Sequence, residues 1–179
     1  MTILIPAWVD GALCPVEKLE AHRKGLRHKA ISIFTFSQGD VLLQQRAMSK
    51  YHSPGQWANT CCTHPNWGED SHAAAHRRVS DELNLTGLDL KYIDQIEYRA
   101  DVGNDLIEHE VVDCFIAVCD TRPVIDPNPS EVMDYTWINP HTLKTRIATA
   151  PNHYTKWLQI YVQDHFESLF RRGCELSAS

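Results

Sequence analysis

SHAAAHRRVSDELN, residues 71–84, is the stretch on which the fold turns. Three consecutive alanines favour a helix, and Ala75, Val79 and Leu83 stack at i, i+4 and i+8 along one face. Asp70 or Ser71 caps its start, and Asn84 ends it. Upstream, KAISIFTF (29–36) is a β-branched and aromatic run that reads as a strand. SQGD (37–40) turns the chain, and VLLQQ (41–45) returns as the partner of a hairpin. RAMSKYHSPGQW (46–57) is a polar loop, after which ANTCC is extended. Downstream lie two further strands, about 91–100 and 108–119, then the Pro-rich turn PVIDPNPSEV and the short strand YTWI. Residues 152–172 set Tyr154, Trp157, Leu158, Tyr161, Val162, His165, Phe166 and Leu169 on one face of a closing helix. Strands mixed with helices, without repeat or linker, predict a single α/β domain with a mixed sheet.

Composition bounds the function. The 179 residues are 43% hydrophobic and 22% charged, an ordinary soluble profile. A net charge of −6 argues against nucleic acid or an anionic membrane as partner. An anionic ligand must therefore meet a local cluster of cations. No apolar run approaches the roughly 18 residues that span a bilayer, and the N-terminus lacks the basic start of a secretory signal. Six cysteines without a CxxC pair point to reduced thiols in the cytoplasm.

Five sets of residues carry candidate chemistry, each with a blander reading beside it. In Glu108-His109-Glu110 a strand turns both carboxylates to one face, about 7 Å apart at Cα. They suit a divalent cation or an acid–base pair, or else a hydrated strand face. Ten histidines are many; His22, His28 and His64 with those carboxylates would make a mixed N/O site for Mn, Fe, Zn or Mg, although spacing alone does not select these three. Around the helix, Glu69, Arg77, Arg78, Asp81 and Glu82 are a charged set or a solvated face. Lys18, Arg46 and Lys50 are a phosphate cradle or scattered surface cations. Cys61 and Cys62 face opposite ways on a strand, and His64 shares the side of Cys62, which makes Cys62 the candidate for chemistry.

Together these blocks resemble the type I isopentenyl-diphosphate Δ-isomerases, a branch of the Nudix-like fold. The resemblance rests on EKLEAH (17–22), RHKAISIF (27–34), RAMSKYHSPGQWANTCCTHP (46–65), HRRVSDEL (76–83), YRADVGNDLIEHEV (98–111) and EVMDYTW (131–137). It implies a mixed β-sheet sandwiched between helices, with a core over about 17–170. Against the general Nudix signature, Glu69, Arg77, Val79 and Glu82 fit. Thr63, Arg78, Asp81 and Asn84 depart from it, standing for Gly, Glu, Glu and Gly. Arg78 in a carboxylate's place exchanges a metal ligand for a phosphate contact, which favours holding a diphosphate over hydrolysing it.

The resemblance further implies isomerisation of isopentenyl diphosphate to dimethylallyl diphosphate through a carbocation-like intermediate. Cys62 and Glu110 would be the catalytic pair, with Tyr98 assisting. His22, His28, His64, Glu108 and Glu110 match a metal site filled by Mn2+, Mg2+ or Zn2+. Glu82 matches the ligand of a Mg2+ that joins the diphosphate, held with Lys18, Arg46, Lys50 and Arg78. Trp157 is the candidate for the indole facing the cation. The rivals are a Nudix diphosphate hydrolase and a non-catalytic module that binds metal or diphosphate. The expected partner is a small isoprenoid diphosphate, and nothing in the chain demands more than a monomer.

Overall fold

A computed structural model describes residues 2–177. Met1 and residues 178–179, the extremes of the expected domain, lie outside the described residues. The chain runs β1 (Leu4–Val9), β2 (Ala12–Glu17), α1 (Lys18–Lys24), β3 (Arg27–Ser37), β4 (Asp40–Arg46), β5 (Trp57–Asn59), β6 (Cys61–Thr63), α2 (Ser71–Leu83), β7 (Lys91–Gly103), β8 (Leu106–Val118), β9 (Val132–Ile138), α3 (Pro140–Thr149), α4 (Lys156–Asp164) and α5 (Arg172–Ser177).

β3 is the hub of the sheet. It pairs parallel with β8 from Arg27↔His109 to Phe36↔Val118, and β8 pairs antiparallel with β7. Along its other edge it meets β1 at Ala7↔His28, β6 at Ser32↔Cys62 and β4 at Phe36↔Val41. Three partners share one edge because β4 diverges from β3 beyond the hairpin to pair with β5 and β9. Thr60 spans the gap: its hydroxyl accepts from Thr35 N at 2.8 Å and donates to Leu42 O at 2.8 Å. Backbone groups that the split would orphan are thereby paired.

Both faces of β3 are covered, so residues 30–37 are buried without alternation, Ser32, Thr35 and Ser37 among them. Ile31 and Ile33 pack with Cys61 and with Ala75, Val79 and Leu83 of α2. Ala30, Phe34 and Phe36 face Trp157, Leu158, Tyr161, Leu169 and Phe170 of the C-terminal segment. The sheet is sandwiched between helices, as the resemblance implied. Asp70 is the N-cap of α2, its carboxylate accepting from His72 N and Ala73 N, and Asn84 ends the helix at φ 54°.

The helix expected as one piece over 152–172 is broken. Tyr154 is extended (φ −123°, ψ 145°) and bridges Trp57, while Thr155 N donates to Trp57 O at 3.0 Å. The edge of β5 claims this backbone, so α4 starts only at Lys156. His165 (φ −125°) interrupts the helix again, and residues 167–171 continue as a π turn into α5. The sequence reading also named no element over 4–24 or 140–149, where β1, β2, α1 and α3 stand.

Gly173 lies under the core. A Cβ there would sit 2.1 Å from Phe36 Cε2, and Phe36 is wholly buried. Alanine would gain about 1 kcal/mol of helix propensity, but an overlap with a ring that cannot move costs more. Gly173→Ala is expected to lower stability by about 2 kcal/mol net. Urea unfolding that showed a gain would contradict this.

Candidate active site

Register places the first row of functional side chains. On neighbouring strands, His28 of β3 lies opposite Glu110 of β8, and Tyr98 of β7 opposite the same Glu110. Glu108 and Glu110 point inward at 3% and 2% exposure, while His109 points outward to Glu97 at 3.1 Å. Tyr98 Oη lies 2.7 Å from Glu110 Oε2 and 2.9 Å from Glu108 Oε2. A phenol has one proton for these two contacts, so one carboxyl must bring its own. Burial, reinforced by the Glu110 charge, pushes the Glu108 carboxyl well above its ordinary range. Burial also opposes the charge of Glu110, but the imidazoles of His28 and His64 outweigh it and hold that carboxyl well below its ordinary range. Tyr98 stays a phenol, pushed up by burial and by both carboxylates.

α1 delivers the second row. His22 is one turn beyond Lys18, and its Nδ1–H donates to Lys18 O at 2.7 Å. Gly25 (φ 57°) ends α1 and turns the chain into β3, which brings in His28, whose Nδ1–H donates to Leu26 O at 2.6 Å. Backbone carbonyls thus fix both tautomers and leave Nε2 as a lone pair, the usual support of a metal-binding imidazole. His22 Nε2, His28 Nε2 and His64 Nδ1 are buried without a hydrogen-bond partner. His28 Nε2 faces Glu110 Oε1 at 3.5 Å, acceptor against acceptor, so a proton or a metal ion must stand between them. Ligand atoms of His22, His28, His64 and Glu110 all lie within 4.8 Å of one another. The residues fit a divalent ion.

β6 presents the thiol. Cys61 is wholly buried against α2, whereas Cys62 is half-buried and opens on a cavity that Glu110 also lines. Ser32 Oγ donates to Cys62 Sγ at 3.3 Å and lies 2.9 Å from Tyr161 Oη. Burial, then the Glu110 and Glu108 charges, push the Cys62 thiol well above its ordinary value, so it carries its proton.

The mouth of this cavity is cationic. Lys18, Arg46, Lys50 and Arg78 all line it. Burial and the charges of Lys50, Arg78 and Arg46 bring Lys18 down to about 8. Arg46 Nε and Arg78 Nε are buried donors without an acceptor. Four crowded cations with unused donors are a receptor for a polyanion. Glu82 lines the same wall, but its oxygens are taken by Arg78 at 2.6 Å and Gln44 at 2.8 Å. Each oxygen keeps a second lone pair, with which Glu82 could still hold Mg2+.

The structure therefore brings together the residues that the sequence only scattered: Tyr98, His22 and His28 stand behind the wall, and the other ten line the cavity. Trp157 is among them, with Arg46 Cζ 5.2 Å from its ring centroid. Sequence reasoning missed His52, which is buried on the cavity wall 3.8 Å from Glu108; its Ser-Pro-Gly flank reads as surface loop. It also missed Glu131, the counter-ion of Lys50 and Arg78.

Asn59 was missed as well. It is fully buried; its amide donates to Ile33 O and Cys61 O at 3.0 Å each, and its Oδ1 accepts from Trp157 Nε1 at 3.1 Å. One side chain thus ties the strand carrying the thiol to the indole. Asn59→Ala strands buried partners at about 1–3 kcal/mol each, so a loss of about 3 kcal/mol in urea unfolding is expected. Turnover of the molecules still folded should drop about tenfold. Unchanged stability and turnover would contradict that tie.

A mixed sheet between helices, with a charged α2 facing the cavity, is the architecture of a Nudix domain, and the family model described as the NUDIX domain matches residues 26–158. Solved structures share the fold: DR0079 from Deinococcus radiodurans has a TM-score of 0.71 at 16% identity over 89% of this chain and 96% of that one. A MutT NUDIX hydrolase from Burkholderia pseudomallei has a TM-score of 0.59 at 17% identity over 76% and 96%. Curated relatives are much nearer in sequence. Proteins named isopentenyl-diphosphate Delta-isomerase are 54% identical in Cereibacter sphaeroides over 95% of this chain and 96% of that one. The figure is 55% in Roseobacter denitrificans over 95% and 97%, and 50% in Ruegeria pomeroyi over 99% of both. The chain belongs to the isopentenyl-diphosphate Delta-isomerase family.

Proposed function

We propose that this enzyme converts isopentenyl diphosphate to dimethylallyl diphosphate, with Cys62 and the Tyr98–Glu110 pair as its proton-transfer groups. The observation that carries the reading is the common cavity: thiol, carboxylates and four cations open into one space. Lys18, Arg46, Lys50 and Arg78 grip the diphosphate, and Mg2+ on Glu82 would join it. Binding energy spent there positions the olefin. Cys62 comes from β6 and Glu110 from β8, strands on the two edges of β3, and both line one cavity, which supports an alkene reached by both groups.

One group adds a proton to the terminal carbon, and the other removes one from the neighbouring methylene. Electrons and atoms balance without a redox partner. Alkenes are weak bases, so the intermediate has tertiary carbocation character and water must be kept away. Trp157, 1% exposed, contributes an aromatic face worth about 2 kcal/mol once desolvated. Tyr98 orients the proton held among Glu108 and Glu110. A divalent ion on the His22, His28, His64 and Glu110 group would keep Glu110 ionised and anchor its geometry. Three imidazoles beside a carboxylate suit Mn2+ or Zn2+ better than Mg2+. Six free thiols accord with a cytoplasmic setting, and no helix among the described residues is long and apolar enough to cross a membrane.

Hydrolysis is disfavoured by the state of α2. Glu69 is held by Arg77 through two 2.6 Å bonds, and Glu82 by Arg78, so the helix offers guanidinium where a hydrolase needs carboxylates. The test is incubation with isopentenyl diphosphate and Mg2+ in deuterated water. Deuterium should enter dimethylallyl diphosphate, read by NMR. Release of phosphate without a double-bond shift would replace isomerase with hydrolase.

A further inference from the structure

Behind Cys62 runs a short chain of hydroxyls that the mechanism has not used. Ser32 of β3 lies opposite Cys62 in the β3–β6 register and opposite Cys114 in the β3–β8 register, so strands on both sides hold it. Ser32 and Tyr161 are both wholly buried, and neither lines the cavity. Ser32 Oγ donates to Cys62 Sγ at 3.3 Å and meets Tyr161 Oη at 2.9 Å. Tyr161 stands one turn beyond Trp157 on α4, so one helix face brings the indole to the cavity and the phenol behind the thiol. Phe34 and Tyr98 meet the Tyr161 ring edge to face, with centroids 5.5 and 6.0 Å away, which fixes where its hydroxyl points.

Counting protons gives this chain a direction. Burial holds the Tyr161 phenol well above its ordinary value, so it keeps its proton. Among the described residues, Ser32 Oγ is the one hydrogen-bond partner of that hydroxyl. Were Ser32 to donate to Tyr161, the phenol proton would be sealed in the core without an acceptor, which is costly. Tyr161 therefore donates to Ser32, and the single Ser32 proton is left for the sulfur. Were Ser32 to accept from the thiol as well, its own proton would be stranded in turn. The S–H of Cys62 is thus barred from turning back into the core and is left to the cavity.

We infer that Tyr161 and Ser32 are positioning residues, a one-way chain of hydrogen bonds that aims the Cys62 S–H at the substrate. The inference rests on Cys62 as a proton-transfer group, as proposed above.

Ser32→Ala and Tyr161→Phe each delete one oxygen and keep the rest of the side chain. With isopentenyl diphosphate as substrate, kcat should fall about tenfold in Ser32→Ala and about fivefold in Tyr161→Phe, with KM within about twofold because the diphosphate grip is untouched. Tyr161 acts on the thiol only through Ser32, so the double variant should fall no further than Ser32→Ala. A double variant that falls by the product of the two singles overturns the chain, and so do single variants that keep their kcat. A purely structural pair would lower stability and leave the kcat of folded molecules alone. The infrared S–H stretch of Cys62, isolated by difference against Cys62→Ser, reads the same chain without turnover. Tyr161→Phe should shift this band, because Ser32 can then accept the thiol proton, and an unshifted band overturns the inference. Should Ser32→Ala not fold, Tyr161→Phe and the band decide alone. A wild-type protein that moves no double bond would instead remove the proposed function, and the band would still decide the chain.

Discussion

Cys62→Ser should abolish nearly all turnover while leaving the protein folded and its diphosphate bound. On β6, Cys62 and Thr63 line the cavity that the carboxylates and cations share, and Cys62 brings its thiol. General acid–base groups contribute up to about 10^4 in rate; a loss of about a thousandfold in kcat corresponds to about 4 kcal/mol of transition-state stabilisation. The hydroxyl is smaller than the thiol but neutral like it and leaves the four cations at the cavity mouth untouched, so KM should move by less than about threefold. Cys61→Ser is the contrasting variant. Its side chain is sealed against α2 with the Glu82 carboxylate as hydrogen-bond partner, so a hydroxyl there should cost about 1 kcal/mol of stability or less, and the folded enzyme should turn over. If Cys62→Ser kept its kcat, or Cys61→Ser lost it, the assignment of the thiol would be reversed.

Glu110→Gln carries the other large effect, and for a different reason. The carboxylate is the junction of the site: it accepts from His64 Nε2 at 2.9 Å and from Tyr98 Oη at 2.7 Å, and it faces His28 Nε2 at 3.5 Å. The amide preserves shape but removes the charge and one acceptor. We expect kcat to fall by about a thousandfold or more and affinity for Zn2+ or Mn2+ to fall with it. Glu108→Gln, by contrast, should spare the His28–His64 group of ligands. A Glu110→Gln enzyme with near-normal kcat would place the second proton-transfer group elsewhere.

What could be read before any fold was known followed from how far each signal reaches along the chain. α2 was legible because its cap, its alanines and its buried face are all local, and Asp70 and Asn84 do bound it. β3, covered on both faces, declares itself by the β-branched and aromatic residues of 29–36 rather than by alternation. The pairing of Glu108 with Glu110, and the opposition of Cys61 to Cys62, follow from the two-residue period of a strand. The C-terminal helix was misjudged because its breaks have distant causes: the edge of β5 captures Tyr154 and Thr155, about a hundred residues away in sequence.

The amino-acid sequence alone determined the fold class, the family blocks, and the residue types from which a proton-transfer and diphosphate site is built. Tertiary structure decided which three of ten histidines surround Glu110, that Asn59 joins thiol strand to indole, and that His52 lies inside rather than on a surface loop. Periodicity reports which way a side chain points from its own backbone, whereas proximity between α1, β3, β6 and β8 arises only when strand register brings remote segments side by side.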